Sequence, residues 1–270
     1  MKMNGKCLEN RIVSYWTGRA ETFGEIRRKE LHNEIGRRWD EALVRAMCGA
    51  DGDAAADGTD AADLAELAGA RVLDVGTGTG EFAILLARHG CRVTGIDLTP
   101  AMIDEARRQT ALEGLDIAFE VMDAQEPAFP AESFDFVITR NLTWTLPDAK
   151  KAYESWYRVL RTGGRLINFD ANYAASLRRE EEAAGEDAAE GAAERRLTYG
   201  HDGVTEEQSR ANREITLAMA VGREERPLWD LKVLRELGFR ECSADVSAGD
   251  RILRENSNPE APIFMVTAVK

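Results

Sequence analysis

The sequence predicts an α/β fold: a seven-stranded, mostly parallel sheet with helices on both faces, N-terminal helices before it and a helical insertion or lid after the fifth strand. Two observations indicate this fold. From Arg71 onward short β-branched runs alternate with amphipathic segments, and strict alternation implies right-handed crossovers and a parallel sheet. The alternation breaks in a charged, alanine-rich stretch at 174–226 and resumes with one helix and two strands, which indicates an antiparallel hairpin at the sheet edge.

The individual elements follow from apolar periodicity and from the residues at helix ends. Residues 8–48 place an apolar residue about every four positions and are expected to be helical. The tract CGADGDAAADGTDAAD that follows is too small and acidic to build a core. The strands are expected at 70–75, 91–98, 117–123, 134–141, 165–172, 240–247 and 262–270. The helices between them are expected at 80–90, 99–114, 148–163 and 227–239, the third of these stopping at Gly163.

Composition narrows the class of protein. The 270 residues carry a formal net charge of −13 without a basic block, whereas nucleic-acid binding needs basic surface, so a small-molecule substrate is favoured. No apolar run approaches the roughly 20 residues of a membrane span, and the N-terminus lacks a signal-peptide core. We therefore expect a cytoplasmic protein without a membrane partner. The four cysteines are scattered, which argues against a zinc site or a disulfide framework, and no metal is expected.

A glycine-rich loop follows the first predicted strand and opens the next helix, in the stretch VLDVGTGTGEF. Gly76 allows a sharp turn, Gly78 lets a ligand approach the main chain, and Gly80 lets helix and strand pack closely. Asp97 ends the second strand, where a carboxylate can accept both hydroxyls of a ribose. The loop and the acid together predict a ligand that contains an adenosine-type ribose.

Three details favour S-adenosylmethionine over NAD as that ligand. Asp74 precedes the glycines, where a carboxylate would repel a pyrophosphate but suits a cationic amino acid. Asp123 ends the third strand, where it can accept from an adenine amino group. Only one nucleotide-sized half is evident, with no second unit for a nicotinamide. The alternative for Asp97 and Asp123 is that each caps neighbouring loop amides.

The stretch VLDVGTGTGEFAILLARHGCRVTGIDLTPAMIDEAR resembles the class I S-adenosylmethionine-dependent methyltransferases, in particular the ubiquinone/menaquinone-biosynthesis type. SYWTGRAETF and WYRVLRTGGRLI are similar to that group as well, so the resemblance covers about Tyr15 to Ile167 and the last forty residues. It implies a Rossmann-like fold, with S-adenosylhomocysteine as the product. The residues expected to bind the cofactor are Tyr15, Arg19, Asp74, Gly76, Thr77, Gly78, Gly80, Asp97, Leu98, Met102, Asp123, Ala124 and Arg140.

We expect one methyltransferase domain over residues 1–270. Its parts are an N-terminal helical cap at 1–50, a loose acidic linker and helix start at 51–68, the cofactor-binding core at 71–173, the helical insertion or lid at 174–226, and the last helix and closing strands at 227–270. The sequence leaves open whether the protein is a monomer or a homodimer.

The segments after the fourth and fifth strands, TRNLTWTLPD and NFDANY, are expected to form the acceptor site. Their polar and aromatic candidates are Arg140, Asn141, Thr143, Trp144, Asp170, Asn172 and Tyr173. Asp170 is the leading candidate for a general base, and Asn141 is the second catalytic candidate. Tyr15, Tyr173 and His201 are weaker candidates for the general base. The alternatives are that Asp170 caps the next segment and that Trp144 is a core aromatic.

The predicted reaction is methyl transfer to a small-molecule acceptor by in-line displacement, for which holding the acceptor in near-attack geometry supplies most of the acceleration. Trp144, Asn172, Tyr173 and His201 are expected to bind that acceptor, with His201 in the lid. The Asp/Asn-Pro-Pro-Tyr/Phe signature of base-modifying amino-group methyltransferases is missing after the fourth strand, which counts against a nucleic-acid substrate. Transfer of the cofactor's aminocarboxypropyl group, a protein or nucleic-acid acceptor, and a non-catalytic cofactor-binding protein stay open as alternatives.

Overall fold

The computed structural model of the protein describes residues 5–49, 65, 67–184 and 204–270. Its centre is a seven-stranded sheet in the order β3-β2-β1-β4-β5-β7-β6. The strands are β1 (Arg71–Val75), β2 (Arg92–Asp97), β3 (Ala118–Val121), β4 (Phe134–Arg140), β5 (Leu160–Asp170), β6 (Arg240–Asp245) and β7 (Phe264–Val269). The first five strands pair in parallel, whereas β7 pairs antiparallel with both β5 and β6. The predicted fold class and its closing antiparallel pair are confirmed.

Helices cover both faces of this sheet. They are α1 (Gly5–Thr17), α2 (Ala20–Leu31), α3 (Glu34–Cys48), α4 (Glu81–Arg88), α5 (Pro100–Leu112), α6 (Ala149–Val159), α7 (Tyr173–Ala184), α8 (Glu206–Ala218), α9 (Leu228–Glu236) and α10 (Ala248–Leu253). Helices α3, α4, α5 and α10 contribute to the core on one face, and α1, α6, α8 and α9 to the core on the other. The chain therefore crosses to opposite faces after β1 and after β4, which are neighbours in the sheet. This is the switch point where open α/β sheets bind their ligands.

The N-terminal region forms three helices rather than a continuous one. The second break lies at Asn33, whose side chain accepts hydrogen bonds from the backbone amides of Ile35 (2.8 Å) and Gly36 (3.2 Å) and so starts α3. An asparagine that satisfies two amides at a helix start is a strong N-cap. At its other end α3 stops at Gly49, which is left-handed.

Two boundaries near the end of the sheet differ from the sequence expectation. The helix predicted to stop at Gly163 ends at Val159, because Leu160 is fully buried and already pairs with Phe134 as the first residue of β5. Gly163 instead lies within β5 at a positive φ of 75°, and its amide donates to the Lys270 carbonyl at 2.9 Å. Helix α10, between β6 and β7, was not predicted.

The region expected to be an insertion contains α7 and α8. A capping box at Thr205 and Gln208 starts α8, and the Gln208 side chain also donates to the Gly18 carbonyl at 3.1 Å. Arg11 on α1 forms a salt bridge with Glu214 on α8. Helix α8 therefore lies against α1. His201 and the acidic tract at 51–63 fall outside the described residues, and no helix within the described ranges is both long and apolar enough to cross a bilayer.

Candidate functional site

The glycine loop at the end of β1 has the shape that its sequence predicts. Gly76, Gly78 and Gly80 have φ values of 65°, 53° and 85°, which side-chain-bearing residues rarely adopt. A Cβ atom on Gly80 would come within 3.2 Å of Ala106 Cβ and 3.3 Å of Phe119 Cζ, so this glycine permits close packing against α5 and β3. A Cβ on Gly78 would meet only Phe23, at 3.9 Å, and the loop itself, at 4.0 Å. The main chain at Gly78 is therefore open on one side.

Asp97 lies across from this loop at the end of β2. One carboxylate oxygen accepts the Gly78 amide at 3.1 Å and the other accepts the Thr99 amide at 2.8 Å. Burial raises the pKa of Asp97, and the two amides counteract it. The capping alternative thus holds for this residue, but each carboxylate oxygen has a second lone pair for a ligand hydroxyl.

Asp74 is the buried acid beneath the glycine loop. The Thr77 hydroxyl donates to its carboxylate at 2.6 Å, and burial raises the pKa of Asp74 to about 7. A carboxyl that is buried with few hydrogen-bond donors destabilises the fold when it ionises. Such strongly shifted carboxyls are typical of ligand sites.

The expected adenine pocket lies along the same edge. Asp123 is half-buried and accepts the Gln125 amide at 2.8 Å, and the Ala124 carbonyl accepts the Trp156 indole N–H at 2.8 Å. Met102 is 2% exposed and Leu98 is half-buried. The structure thus places these four residues around the ends of β2 and β3, with the Asp123 side chain partly accessible.

Tyr15 and Arg19, expected to bind the cofactor, are both buried at the end of α1 and the start of α2. Burial raises the pKa of the Tyr15 hydroxyl, and the neighbouring Arg19 guanidinium partly offsets this. The Arg19 guanidinium also donates to the Thr22 hydroxyl at 3.4 Å.

After β4 and β5 the structure brings together three of the predicted acceptor-site residues. Asn141 has a positive φ of 53°, and its amide donates to the Phe169 carbonyl at 2.7 Å. Its side-chain oxygen accepts the Tyr173 hydroxyl at 3.1 Å, and its carbonyl accepts the Trp144 indole N–H at 2.8 Å. The rings of Trp144 and Tyr173 meet edge to face at 5.2 Å. These half-buried residues form a polar and aromatic wall.

The expectation that Asp170 is a general base is contradicted. Its side chain is fully buried, with one oxygen accepting the Ala171 amide at 2.8 Å. The other oxygen accepts the Thr143 hydroxyl, the Trp144 amide at 3.0 Å and the Arg226 guanidinium at 3.1 Å. The capping alternative is therefore the one that the structure supports. A carboxylate that is fully buried and paired with the Arg226 guanidinium is not accessible to an acceptor.

Asp170 belongs to a larger buried group. Arg226 also contacts both oxygens of Asp230 at 2.8 and 2.9 Å, and the Tyr153 hydroxyl donates to Asp230 at 2.7 Å. We call Thr143, Tyr153, Asp170, Arg226 and Asp230 the Asp170 network. Burial raises the pKa of Asp170, while Arg226 counteracts this most strongly.

Asn172 does not face the acceptor wall either. Its side-chain nitrogen donates to the Glu224 carbonyl at 3.1 Å and its oxygen accepts the Ala175 amide at 3.3 Å, so it fixes the start of α7. The prediction for His201 stays untested, because this residue lies outside the described ranges.

Arg140, expected at the cofactor, has its guanidinium in a buried ion cluster instead. It donates to Glu81 at 2.6 Å and to Glu30 at 2.7 Å, and it lies 3.9 Å from the centre of the Trp39 ring. Arg27 forms a further salt bridge with Glu30. We call Arg27, Glu30, Glu81 and Arg140 the rim cluster.

The sequence reasoning missed the other three members of the rim cluster. Glu81 follows the last glycine of the loop directly, which is the one signal that could have indicated it. Burial raises the pKa of Glu81 to about 7, whereas Arg140 and Arg27 overcome the burial of Glu30 and hold the pKa of that carboxyl at about 2. The two carboxyls thus have well-separated pKa values, as expected for neighbouring acids that repel each other when both are ionised.

The chemistry of these residues fits S-adenosylmethionine. The open main chain at Gly78 offers room for a ligand, Asp97 retains acceptor capacity for ribose hydroxyls, and Asp74 offers a negative charge below a cationic amino acid. Among the described residues, no group of three or more His, Cys, Asp or Glu side chains could hold a metal ion.

Comparisons with known proteins point in the same direction. Residues 72–164 match the family described as a methyltransferase domain. Aklanonic acid methyltransferase from Streptomyces sp. strain C5 is 43% identical over 110 residues, which are 38% of this chain and 50% of the relative. Demethylmenaquinone methyltransferase from Thermus thermophilus is 41% identical over 110 residues, 40% of this chain and 50% of the relative. The chain spans about half the length of these curated relatives.

Solved structures share the fold over most of the chain. A Methanococcus maripaludis protein, assigned as an S-adenosylmethionine-dependent methyltransferase, has a TM-score of 0.57 at 17% identity and covers 94% of this chain and 93% of its own. Phosphoethanolamine N-methyltransferase 2 from Haemonchus contortus, in complex with phosphomonomethylethanolamine and S-adenosylhomocysteine, has a TM-score of 0.53 at 17% identity and covers 92% and 60%. At these identities the likeness shows the fold alone.

Proposed function

We propose that the protein, as a class I S-adenosylmethionine-dependent methyltransferase with S-adenosylmethionine as its cofactor, is an enzyme that methylates a small-molecule acceptor. The cofactor supplies an activated methyl group on a good leaving group. The protein's task is then to hold the acceptor in line with that methyl group and to exclude water.

The residues proposed to hold the cofactor lie along the ends of β1, β2 and β3. Asp97 would accept the ribose hydroxyls, Asp123 the adenine amino group, and Asp74 would lie on the side of the cationic amino acid. Gly78 would let the ligand lie against the main chain. This assignment is supported by the open space beside Gly78 and by the lone pairs that Asp97 retains after its two amide bonds.

The observation that carries the acceptor site is the wall of Asn141, Trp144 and Tyr173 after β4 and β5. It joins two aromatic rings to an amide and a hydroxyl, which suits a small acceptor with an apolar body and a few polar groups. It also lies beside the switch point, where the glycine loop begins. The names of relatives support the same class, since one methylates aklanonic acid and another demethylmenaquinone.

Two labelled forms of S-adenosylmethionine test the proposal, one labelled on the methyl group and one on the carboxyl carbon. Each is incubated with the protein and with metabolite, RNA and protein fractions of a cell extract. We expect only methyl label to move, and only into the metabolite fraction. Label in RNA or protein would overturn the small-molecule acceptor, and carboxyl label in a product would show aminocarboxypropyl transfer.

The control is the Asp97→Ala variant, which removes the proposed ribose acceptor. We expect at least about a tenfold loss of affinity for S-adenosylhomocysteine by isothermal titration calorimetry, because hydrogen bonds to a charged group are lost. An unchanged affinity would contradict the ribose assignment. If the wild type binds the cofactor tightly but transfers no label into any fraction, the protein would be a non-catalytic binding protein.

A further inference from the structure

One carboxylate oxygen in the rim cluster has no hydrogen-bond donor. Glu81 Oε2 accepts the Arg140 guanidinium at 2.6 Å and lies 3.9 Å from Arg27 Nε, whereas Glu81 Oε1 has no hydrogen-bond partner. The side chain is only 8% exposed, so water does not bathe it freely. An unpaired buried oxygen costs about 1–3 kcal/mol, and buried polar groups in native proteins are nearly always paired. Such an oxygen keeps acceptor capacity that a ligand can use.

The position of this oxygen matches the acceptor side of the site. Glu81 begins α4 directly after the glycine loop, and Arg140 ends β4, so the ion pair bridges the two strands at the switch point. The next residue after Arg140 is Asn141, which holds Tyr173 of the acceptor wall. Glu81 therefore follows the cofactor loop and is joined through Arg140 to the strand that leads into the wall.

Aromatic side chains flank the rim cluster. The Arg27 guanidinium lies 4.6 Å from the centre of the Phe23 ring, and Phe23 is the side chain nearest to the open face of Gly78. Phe23, Trp144 and Tyr173 are all half-buried. Partly accessible rings near the glycine loop and after β4 and β5 favour a flat, aromatic acceptor body.

The charges beside Glu81 discriminate between acceptor groups. Both Arg27 and Arg140 lie within 4 Å of its carboxylate. Glu30 and Glu81 balance these two cations, so a protonated amine would lose its hydration there without a net negative charge to attract it, whereas a neutral hydroxyl can donate to Glu81 Oε1.

We propose that Glu81 Oε1 accepts a hydrogen bond from the hydroxyl group of a neutral aromatic acceptor, and thereby selects hydroxylated acceptors over methoxylated and cationic ones. The proposal rests on the proposed function, because it places the acceptor of that reaction beside Glu81. It makes Glu81 a specificity-determining residue of the acceptor site, and it gives the unpaired oxygen a partner.

Binding of three matched probes tests this assignment: 2-naphthol, 2-methoxynaphthalene and 2-naphthylmethylamine, the last a cation. Each is titrated into protein saturated with S-adenosylhomocysteine, at a pH of about 8, where a carboxyl with a pKa near 7 is mostly ionised. We expect 2-naphthol to bind the wild type about tenfold more tightly than either of the other probes, the size of one hydrogen bond to a charged group.

Two glutamine variants separate the roles of the two carboxylates. Glu81→Gln should lose the preference for 2-naphthol, because an amide in its place is uncharged and a weaker acceptor. Glu30→Gln is the control: both Glu30 oxygens are already paired with Arg27 and Arg140, and removing this neighbouring charge, which raises the pKa of Glu81, leaves Glu81 ionised, so the preference should be kept. Affinity for S-adenosylhomocysteine should be unchanged in both variants.

Equal wild-type affinity for the probes, no binding of 2-naphthol, or a preference that survives in Glu81→Gln would overturn the proposal. The wild-type result stands even if a variant does not fold. If the wild type binds the three probes equally while methyl transfer in the labelled-extract experiment is intact, only the role of Glu81 fails. If the wild type discriminates between the probes but transfers no label into any fraction, the proposed function fails and the role of Glu81 stands.

Discussion

The protein contains two buried ionic groups that differ in how completely they are paired. In the Asp170 network every carboxylate oxygen of Asp170 and Asp230 has a donor, and one cation, Arg226, lies between the two acids. In the rim cluster two cations face two acids, yet Glu81 Oε1 has no donor. The Asp170 network thus has fully paired carboxylates but unequal numbers of acids and cations. The rim cluster has equal numbers of acids and cations but one unpaired carboxylate oxygen.

This difference separates a structural group from a functional one. The Asp170 network joins the end of β5 to the start of α9 and fixes the backbone at Trp144, so its polar atoms are consumed by the fold. The rim cluster is also buried, but it keeps one strong acceptor unused beside the glycine loop. Unused capacity, rather than burial or charge, marks the group that a ligand can complete.

The largest expected effect lies in the Asp170 network. Arg226→Met leaves the carboxylates of Asp170 and Asp230 buried without their cation, and we expect a loss of about 3–5 kcal/mol in the free energy of unfolding. Urea unfolding followed by circular dichroism measures it. Arg226→Lys, which keeps the charge without the planar fork, should recover part of the loss. A loss under about 1 kcal/mol for the methionine variant would show that the network is not structural.

A second prediction contrasts the two acids of the rim cluster. We expect Glu30→Gln to lower the free energy of unfolding by about 2–3 kcal/mol at neutral pH, because it removes a fully paired charge. Glu81→Gln should be neutral or stabilising, since it removes a charge that burial disfavours. Two equal losses would contradict the difference in pairing.

The pH dependence of Glu30 sharpens that contrast. The pKa of Glu30 is held at about 2, below its usual value of 4.5, so its contribution is fully present above pH 4.5 and is lost as the pH falls toward 2. The deficit of Glu30→Gln should therefore shrink on acidification, as measured by urea unfolding at a series of pH values. A deficit that is constant from neutral pH to about pH 3 would contradict the ion pairing.

Asp74 gives a further prediction, in which stability falls and does not rise with pH. Its folded pKa is raised to about 7 from 3.8, so between these values the unfolded chain ionises while the folded carboxyl keeps its proton, and stability falls as the pH rises. Asp74→Asn does not titrate, so its stability relative to that of the wild type should rise by about 3 kcal/mol between pH 4 and pH 7. Thermal unfolding without cofactor measures this. Affinity for S-adenosylhomocysteine should fall in the same variant, and a relative stability that does not rise over this pH range would refute the account of Asp74.

The smallest effect is expected at the surface. Arg71 pairs with Asp135 at 3.1 Å, but its side chain is 44% exposed and Arg161 also contacts Asp135. Arg71→Ala should therefore cost no more than about 1 kcal/mol in urea unfolding. A larger loss would mean that ionic pairs in this protein are not ranked by burial.

Much of the fold could be predicted because its determinants are local. Short β-branched runs that alternate with amphipathic segments indicated the strands. The glycines at 76, 78 and 80 have the positive φ values that their roles require. The end of α6 was missed, because Leu160 leaves the helix to pair with Phe134, a contact made by the sheet and not by the helix sequence. The short helix α10 carries no strong local signal either.

The site was predictable only where its residues share one loop or one strand end. Asn141, Trp144 and Tyr173 were found by their position after neighbouring strands. The rim cluster was not, since Glu30 lies 110 positions before Arg140 and on a helix whose orientation the sequence does not specify. Asp170 was found but misassigned, because its partner Arg226 lies 56 positions away. Long-range pairing decides whether an acid at a strand end is free to act.

The order of strands at the far edge bears on how the chain acquires its structure during synthesis. β6 joins the sheet only through β7, which inserts between it and β5. The ribosome makes β6 first, so this strand waits without a hydrogen-bonding neighbour until residue 269 has emerged. Until then β5 also presents a bare edge, and such edges invite pairing with other chains. When β7 forms it pairs both of these strands at once, and β6 then becomes the edge of the sheet.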